Sequence, residues 1–367
     1  MATSDTERWL SKGFKSRLRF MVVSRSTGAD LRLLRGIKPR TLQLSWNDDT
    51  SIKESGTVDY AGRFNIGSDL LRVHLDAEFH DGSTATSTLG TYIVSTPERT
   101  ANGSASRGTL QMYGRLQELA DSQFMMPVTV PAGADPVEVA AGFIRGQGLE
   151  CVFEQTDYRL GAERTYGVGG DGDDSILDAV NDLLKYAGFR SAWTDGYGVV
   201  HLTKYREPSK SAPVWEFIEG ANARFLSEVT EERDTHGVAN VVRVTYSTQE
   251  KSFVGIARDD DPDSEFSTLN QGRTICRTES LSDVPDESTD EQIQKLVDDK
   301  AKELLGTEQS VIHRITLSTV WCPIRYGETA RIEYPSADIS GLFSIRIMSP
   351  TGEPGVLMDV ELRRYER

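Results

Sequence analysis

Four side chains able to bind a cation, His74, Asp76, Glu78 and His80, recur at every second position of one segment. In an extended chain that spacing puts them on one face. At about 3.3 Å per residue, however, His74 and His80 stand ~20 Å apart. Only adjacent members could share an ion, so the pattern predicts the solvated face of a strand and not a metal site. A second candidate, Gly167-Val168-Gly169-Gly170-Asp171-Gly172, precedes a helical stretch and has the glycine content of a phosphate cradle. It lacks the Lys-Ser/Thr of a P-loop, and Asp171, Asp173 and Asp174 would repel phosphate. The same acids lack the order of an EF-hand calcium loop, which leaves a loop ending in a helix N-cap. For nucleophilic catalysis there is no GxSxG elbow, and His74, His80, His201, His236 and His313 are scattered. Cys151, Cys276 and Cys322 form no CxxC pair and read as reduced, packed thiols. With 56 acidic residues some carboxylate pair will fall at a glycosidase separation whatever the function, so such a pair is uninformative. No catalytic, cofactor-binding or metal-binding residue is assigned, and the expectation is a protein that is not an enzyme and uses no cofactor.

The elements around these residues are mostly strands at the two ends of the chain. Leu71, Val73, Leu75, Ala77 and Phe79 alternate with Arg72, His74, Asp76, Glu78 and His80, the period-two signature of a half-buried strand, and Asp81-Gly82 supplies a turn. Runs at 18–23, 41–46, 52–60 and 89–95 read as strands too. After Gly114 the period changes. Asp135-Pro136-Val137-Glu138 places an N-cap, a proline at the first helical position and a carboxylate in the first turn, ahead of apolar residues at helical spacing. Ile176, Leu177, Val180, Leu183, Leu184 and Ala187 form a second stripe, starting near Asp174 and closed by Gly188. Strands at 190–194 and 199–204 flank the turn Asp195-Gly196-Tyr197-Gly198. From 225 strands return, interrupted by one helix over about 290–305 with buried face Ile293, Leu296, Val297, Ala301, Leu304 and Leu305. Ser288 and Glu291 are its expected capping box and Gly306 its end.

Composition bounds the function. At 367 residues the chain suggests two or three domains. A net charge of -15 opposes a surface that grips nucleic acid, since phosphate contacts need clustered Lys and Arg. It suits a surface that DNA must slide past. Met1 to Phe20 holds no apolar signal-peptide core, and no window has the ~20 apolar residues of a membrane helix, so synthesis in a cytoplasm without stable membrane association is expected.

The order of short motifs resembles that of bacteriophage tail-hub proteins, the baseplate hub family. The motifs are Leu89-Gly90-Thr91-Tyr92, then Leu110-Gln111-Met112-Tyr113-Gly114-Arg115-Leu116, similar to the family's G-D-R-L helix start but without its Asp. Val130-Pro131-Ala132-Gly133, the helix 176–188 with Trp193-Thr194-Asp195, and the exit Tyr205-Arg206-Glu207-Pro208 follow. The ending carries the helix 293–305, Arg325-Tyr326-Gly327-Glu328-Thr329-Ala330-Arg331-Ile332, and Met358-Asp359-Val360-Glu361-Leu362-Arg363. The resemblance implies an α+β, mostly β fold: two tube-type β-barrel-like domains, 1–115 and 215–367, with a small α+β module, 116–214, inserted between them. It implies a homotrimeric ring at the virion tail tip that continues the tail tube, with the module outside. Implied partners are further copies of the chain, the distal tail protein, the tape measure protein and tail-tip or fibre proteins, while DNA passes through the bore without specific binding. Asp76 and Glu78 are the expected bore-lining residues, held there by the apolar set opposite. A distal tail adaptor, a carbohydrate-binding receptor module and, further off, a tail-associated hydrolase are the alternative readings.

Overall fold

The computed structural model describes residues 9, 13–62, 65–96, 99–102, 105–168, 175–221, 223–233, 236–247, 251–281, 289–309 and 311–366. They form two compact units: Met1–Val229 with Thr316–Leu362, and Thr230–Ile315 with Arg363–Arg367.

The chain opens with β1 (Phe14–Val23), β2 (Asp30–Leu33), β3 (Gln43–Asn47), β4 (Glu54–Ala61), β5 (Leu70–Phe79), β6 (Thr84–Ser95), β7 (Arg99–Asn102) and β8 (Ala105–Gly114). Then come α1 (Leu116–Ala120), β9 (Val128–Val130), α2 (Pro136–Gly146), β10 (Cys151–Phe153), β11 (Arg164–Tyr166), α3 (Ile176–Tyr186), β12 (Trp193–Thr194) and β13 (Val200–Leu202). β14 (Trp215–Ile218) and β15 (Phe225–Arg233) lead to β16 (Val241–Ser247), β17 (Ser252–Arg258), α4 (Thr268–Gln271), β18 (Cys276–Ser280) and α5 (Asp290–Glu308). The chain ends in β19 (Val311–Thr319), β20 (Thr329–Tyr334), β21 (Ile339–Pro350) and β22 (Met358–Glu366). The fold is α+β and mostly β, as the sequence predicts.

In the first unit the sheet runs β22-β21-β3-β4-β8-β6-β5-β1-β2, and β20 branches from β21 to carry β14 in parallel. Strands from the two ends of the chain therefore share one sheet. β3 meets β21 antiparallel, with Met348 opposite Trp46. The path has open borders and closes into no barrel among the described residues. Trp46, Tyr92, Phe217, Phe343 and Leu110 are fully buried beneath it.

Residues 116–202 build a core of their own, in which Val137, Ala140 and Ile144 of α2 meet Leu177, Val180 and Leu184 of α3. Both helices start where local chemistry says they should. The Asp135 carboxylate accepts from the Val137 and Glu138 amides, and Ser175 forms a reciprocal box with Asp178. The cap of α3 is thus Ser175; Asp174, the expected start, lies outside the described residues, as do Gly169 to Asp174 of the glycine-rich loop.

The second unit is a three-stranded sheet, β17-β16-β18, with α5 packed on one face. Val242, Val244 and Ala257 meet Val297, Ala301 and Leu305. The capping box of α5 is Thr289 with Gln292, one residue beyond the expected Ser288, which is not among the described residues. The helix continues past Gly306 to Glu308, and Leu296, expected in the buried face, is 39% exposed. A glycine in a helix costs only ~1 kcal/mol, which the apolar contact of Leu305 offsets.

Candidate functional site

The face expected to line a bore is assembled from β1, β5 and β6. Directly opposed residues in antiparallel strands share a face, and the register sets Lys15 opposite Glu78, Arg17 opposite Asp76 and Arg19 opposite His74. On the other side Thr84, Thr86 and Thr88 oppose Glu78, Asp76 and His74. Asp76 is clasped by Arg19, with Nη2 to Oδ1 at 2.9 Å, and accepts from Thr86 Oγ1 at 2.7 Å. These bonds hold its carboxyl below the usual range. Glu78 is exposed. The surface around the two acids has no acidic excess, because the neighbouring strand supplies three cations.

Alternation holds for the outer half of β5 and fails for the inner half. Arg72 and His74 are 6% and 5% exposed. His74, expected on the solvated face, lies under Thr88 (Nδ1 to Oγ1, 3.1 Å) and 3.4 Å from Asp30. Burial lowers its pKa and keeps it neutral. Arg72 donates to Thr91 at 2.9 Å and to Asp30 at 2.8 Å, and its guanidinium stands 5.1 Å from the Tyr197 ring centroid. Arg72 is covered by Tyr197 of the β12–β13 hairpin, which no period in β5 could announce.

Where that hairpin meets the sheet lies the most concentrated buried chemistry of the first unit. Glu54 is 1% exposed. It accepts from Arg325 Nη1 at 3.1 Å and from Tyr326 Oη at 3.1 Å, and its Oε2 has no partner among the described residues. Burial outweighs both partners and raises its carboxyl to about 7. Arg325 also reaches the Thr194 and Thr88 carbonyls, both near the hydrogen-bond limit at 3.4 and 3.3 Å. Thr91 Oγ1 donates to the Gly196 carbonyl at 2.9 Å. A Cβ on Gly196 would stand 2.2 Å from the Thr88 oxygen, so only glycine lets the hairpin turn come this close. Nearby, Asp48 takes Arg190 at 2.7 Å, Arg346 at 2.6 Å and Lys53 at 3.1 Å, and these cations hold its carboxyl low despite burial. One polar cluster thus ties three stretches of sequence, around 48–54, 190–196 and 325–346. Its groups pair across these stretches, an arrangement that holds elements together.

The remaining chemistry is dispersed. His201 pairs with Asp195 at 3.2 Å and stacks on Trp193, while His313 pairs with Glu231 at 2.6 Å in the second unit. Burial pushes the Cys151 thiol up to about 11 and raises Cys322 well above its ordinary value, so neither is a nucleophile at neutral pH; Cys276 is exposed. Among the described residues no group of three or more metal-ligating side chains occurs, and no helix is long and apolar enough to cross a membrane.

No family model and no curated protein matches the chain. Solved structures do. The tail protein from Neisseria meningitidis MC58 is 12% identical with a TM-score of 0.60, over 97% of this chain and 97% of that one. The 43 kDa tail protein of prophage MuSo2 from Shewanella oneidensis is 8% identical with a TM-score of 0.59, over 95% and 98%. A chain of the Francisella PdpA-VgrG complex is 9% identical with a TM-score of 0.56, over 99% of this chain and 60% of that one. At such identities the fold is what is shared, and from end to end this chain has the fold of these two tail proteins, in line with its resemblance to the tail-hub family.

Proposed function

We propose that the chain is a structural component of a phage or phage-like tail tip, a hub of which three copies form a ring that continues the tail tube. The observation that carries this reading is the end-to-end correspondence of fold with two tail proteins, covering nearly all of each chain. In this reading residues 1–115 and 215–367 supply the wall. Residues 116–214, whose helices pack into a core of their own, stand outside as a module. The ring joins the distal tail protein and the tape measure protein to tail-tip or fibre proteins, in a virion assembled in the bacterial cytoplasm. Its work is mechanical, not catalytic.

Asp76 and Glu78 face the bore. DNA, with one negative charge per ~1.7 Å of axis, passes without sticking because the acids offset Lys15, Arg17 and Arg19 on the adjoining strand. The pairing of Asp76 with Arg19 is the clearest instance.

Symmetry analysis of isolated tails by electron microscopy tests the reading. Three copies at the junction of tube and tip are expected. One copy or six would overturn it.

A further inference from the structure

Among the open edges of this sheet, two, β14 and β2, suit each other. Among the described residues β14 pairs on one side only, with β20. Beside it lies a groove of ≈ 530 Å³ lined by residues 213–216, 218–221, 223 and 224. Trp215 and Phe217 point into the core, whereas Val214 and Ile218, 43% and 50% exposed, stand with the exposed Glu216 on the other face. Trp215 lines this groove, is 3% exposed, and its Nε1–H meets no acceptor among the described residues. An indole N–H can only donate, and a buried donor left unmet costs ~1–3 kcal/mol.

The far border is β2, which pairs with β1 alone and is exposed at all four residues. Leu31 and Leu33, 56% and 43% exposed, share a face, and the alternation carries exposed Arg35 onto the same side. Open strand edges template pairing with another chain, so an apolar, exposed pair of them needs a cover. One border offers apolar residues beside an acid, and the other apolar residues beside a base.

We infer that β2 of one copy lies antiparallel along β14 of the next, with Leu33 opposite Ile218 and Arg35 opposite Glu216. This rests on the ring reading above and names its joint. Two different surfaces meeting head to tail generate a closed ring or an open filament, according to the rotation between copies. Leu34 then falls opposite Phe217, adding to the apolar side.

The test uses tails assembled from the full chain carrying Cys276→Ser, which removes the exposed thiol. Leu33→Cys and Ile218→Cys are added together and the tails are mildly oxidised. Directly opposed Cβ atoms lie about 4.5–5.5 Å apart, within small adjustment of disulfide reach. Expected is a covalent trimer on a non-reducing gel, absent from either single-cysteine tail. Tails that hold three copies but give no cross-link overturn the joint and leave the ring standing. Tails holding another number overturn the ring and the joint with it. If the double-cysteine chain fails to assemble, charge reversal decides: Glu216→Arg or Arg35→Glu alone should lower the yield of intact tails about two- to fivefold, and the two together should restore it. No loss in the single variants, or no rescue in the double, overturns the joint.

Discussion

At the scale of single residues Glu54 dominates, because it is a carboxylate buried with one oxygen unmatched among the described residues. Its folded pKa of about 7 lies above the ordinary value of 4.5, so between those two values the folded state holds a proton that the unfolded state has lost. The stability this proton contributes is complete below pH 4.5 and disappears as pH rises through about 7, a difference of at most ~3 kcal/mol. Glu54→Gln keeps the shape and cannot titrate. The change in urea midpoint from pH 5 to pH 8 should therefore be more negative in the wild type than in the variant. Equal differences would show that Glu54 does not titrate in this window. His74 works in the opposite sense: its lowered pKa makes stability fall as pH drops below the ordinary 6.5, equally in both proteins, so it cancels from the comparison. The sequence marked His74 as one of a row and passed over Glu54 altogether. Nothing local distinguishes Glu54 from 55 other acids; its burial comes from Arg325 and Tyr326, 271 and 272 positions away.

At the scale of elements, helix starts were legible because they are written in neighbouring residues. Asp135 caps α2 as its type and spacing demand, and for α3 and α5 the cap fell one residue from the expected position. Thr289→Ala should cost ~1 kcal/mol, read as faster amide exchange in the first turn of α5. Two close approaches give sharper tests. Gly196→Ala places a methyl 2.2 Å from the Thr88 oxygen, so the hairpin must lift and lose its hold on Thr91; faster amide exchange and proteolysis around 193–202 are expected. Gly255→Ala in β17 puts its methyl 2.3 Å from the Val297 carbonyl in α5, which predicts ~1–3 kcal/mol of destabilisation. Exchange should accelerate in α5 and β16 while amides of β5 and β6 keep their rates. Uniform acceleration through both units would contradict the division between them.

At the scale of the whole molecule, the charge pattern of one strand acquires its meaning from the next. Asp76 and Glu78 alone suggest an acidic stripe, but β1 places Lys15, Arg17 and Arg19 alongside. Asp76→Lys with Glu78→Lys would leave five cations on that patch and no acid to offset them. The Asp76–Arg19 pair is about one-third exposed, so its loss should cost less than ~1 kcal/mol and the protein should still fold. Tails carrying it should eject DNA more slowly, most clearly at low salt, where the Debye length is longest. Ejection at the wild-type rate at every salt concentration would remove these residues from the bore.

By itself the sequence determined the elements, the mostly β composition and the order of motifs that resembles a tail hub, because period, capping and turn chemistry act within a few residues. Only the tertiary structure decided which strands from the two ends share one sheet, that Met348 lies beside Trp46, and that a hairpin at 193–202 covers Arg72. These are contacts between residues more than a hundred positions apart. Their free energy comes from burial and charge compensation across elements, which leave no periodic trace in the chain that makes them.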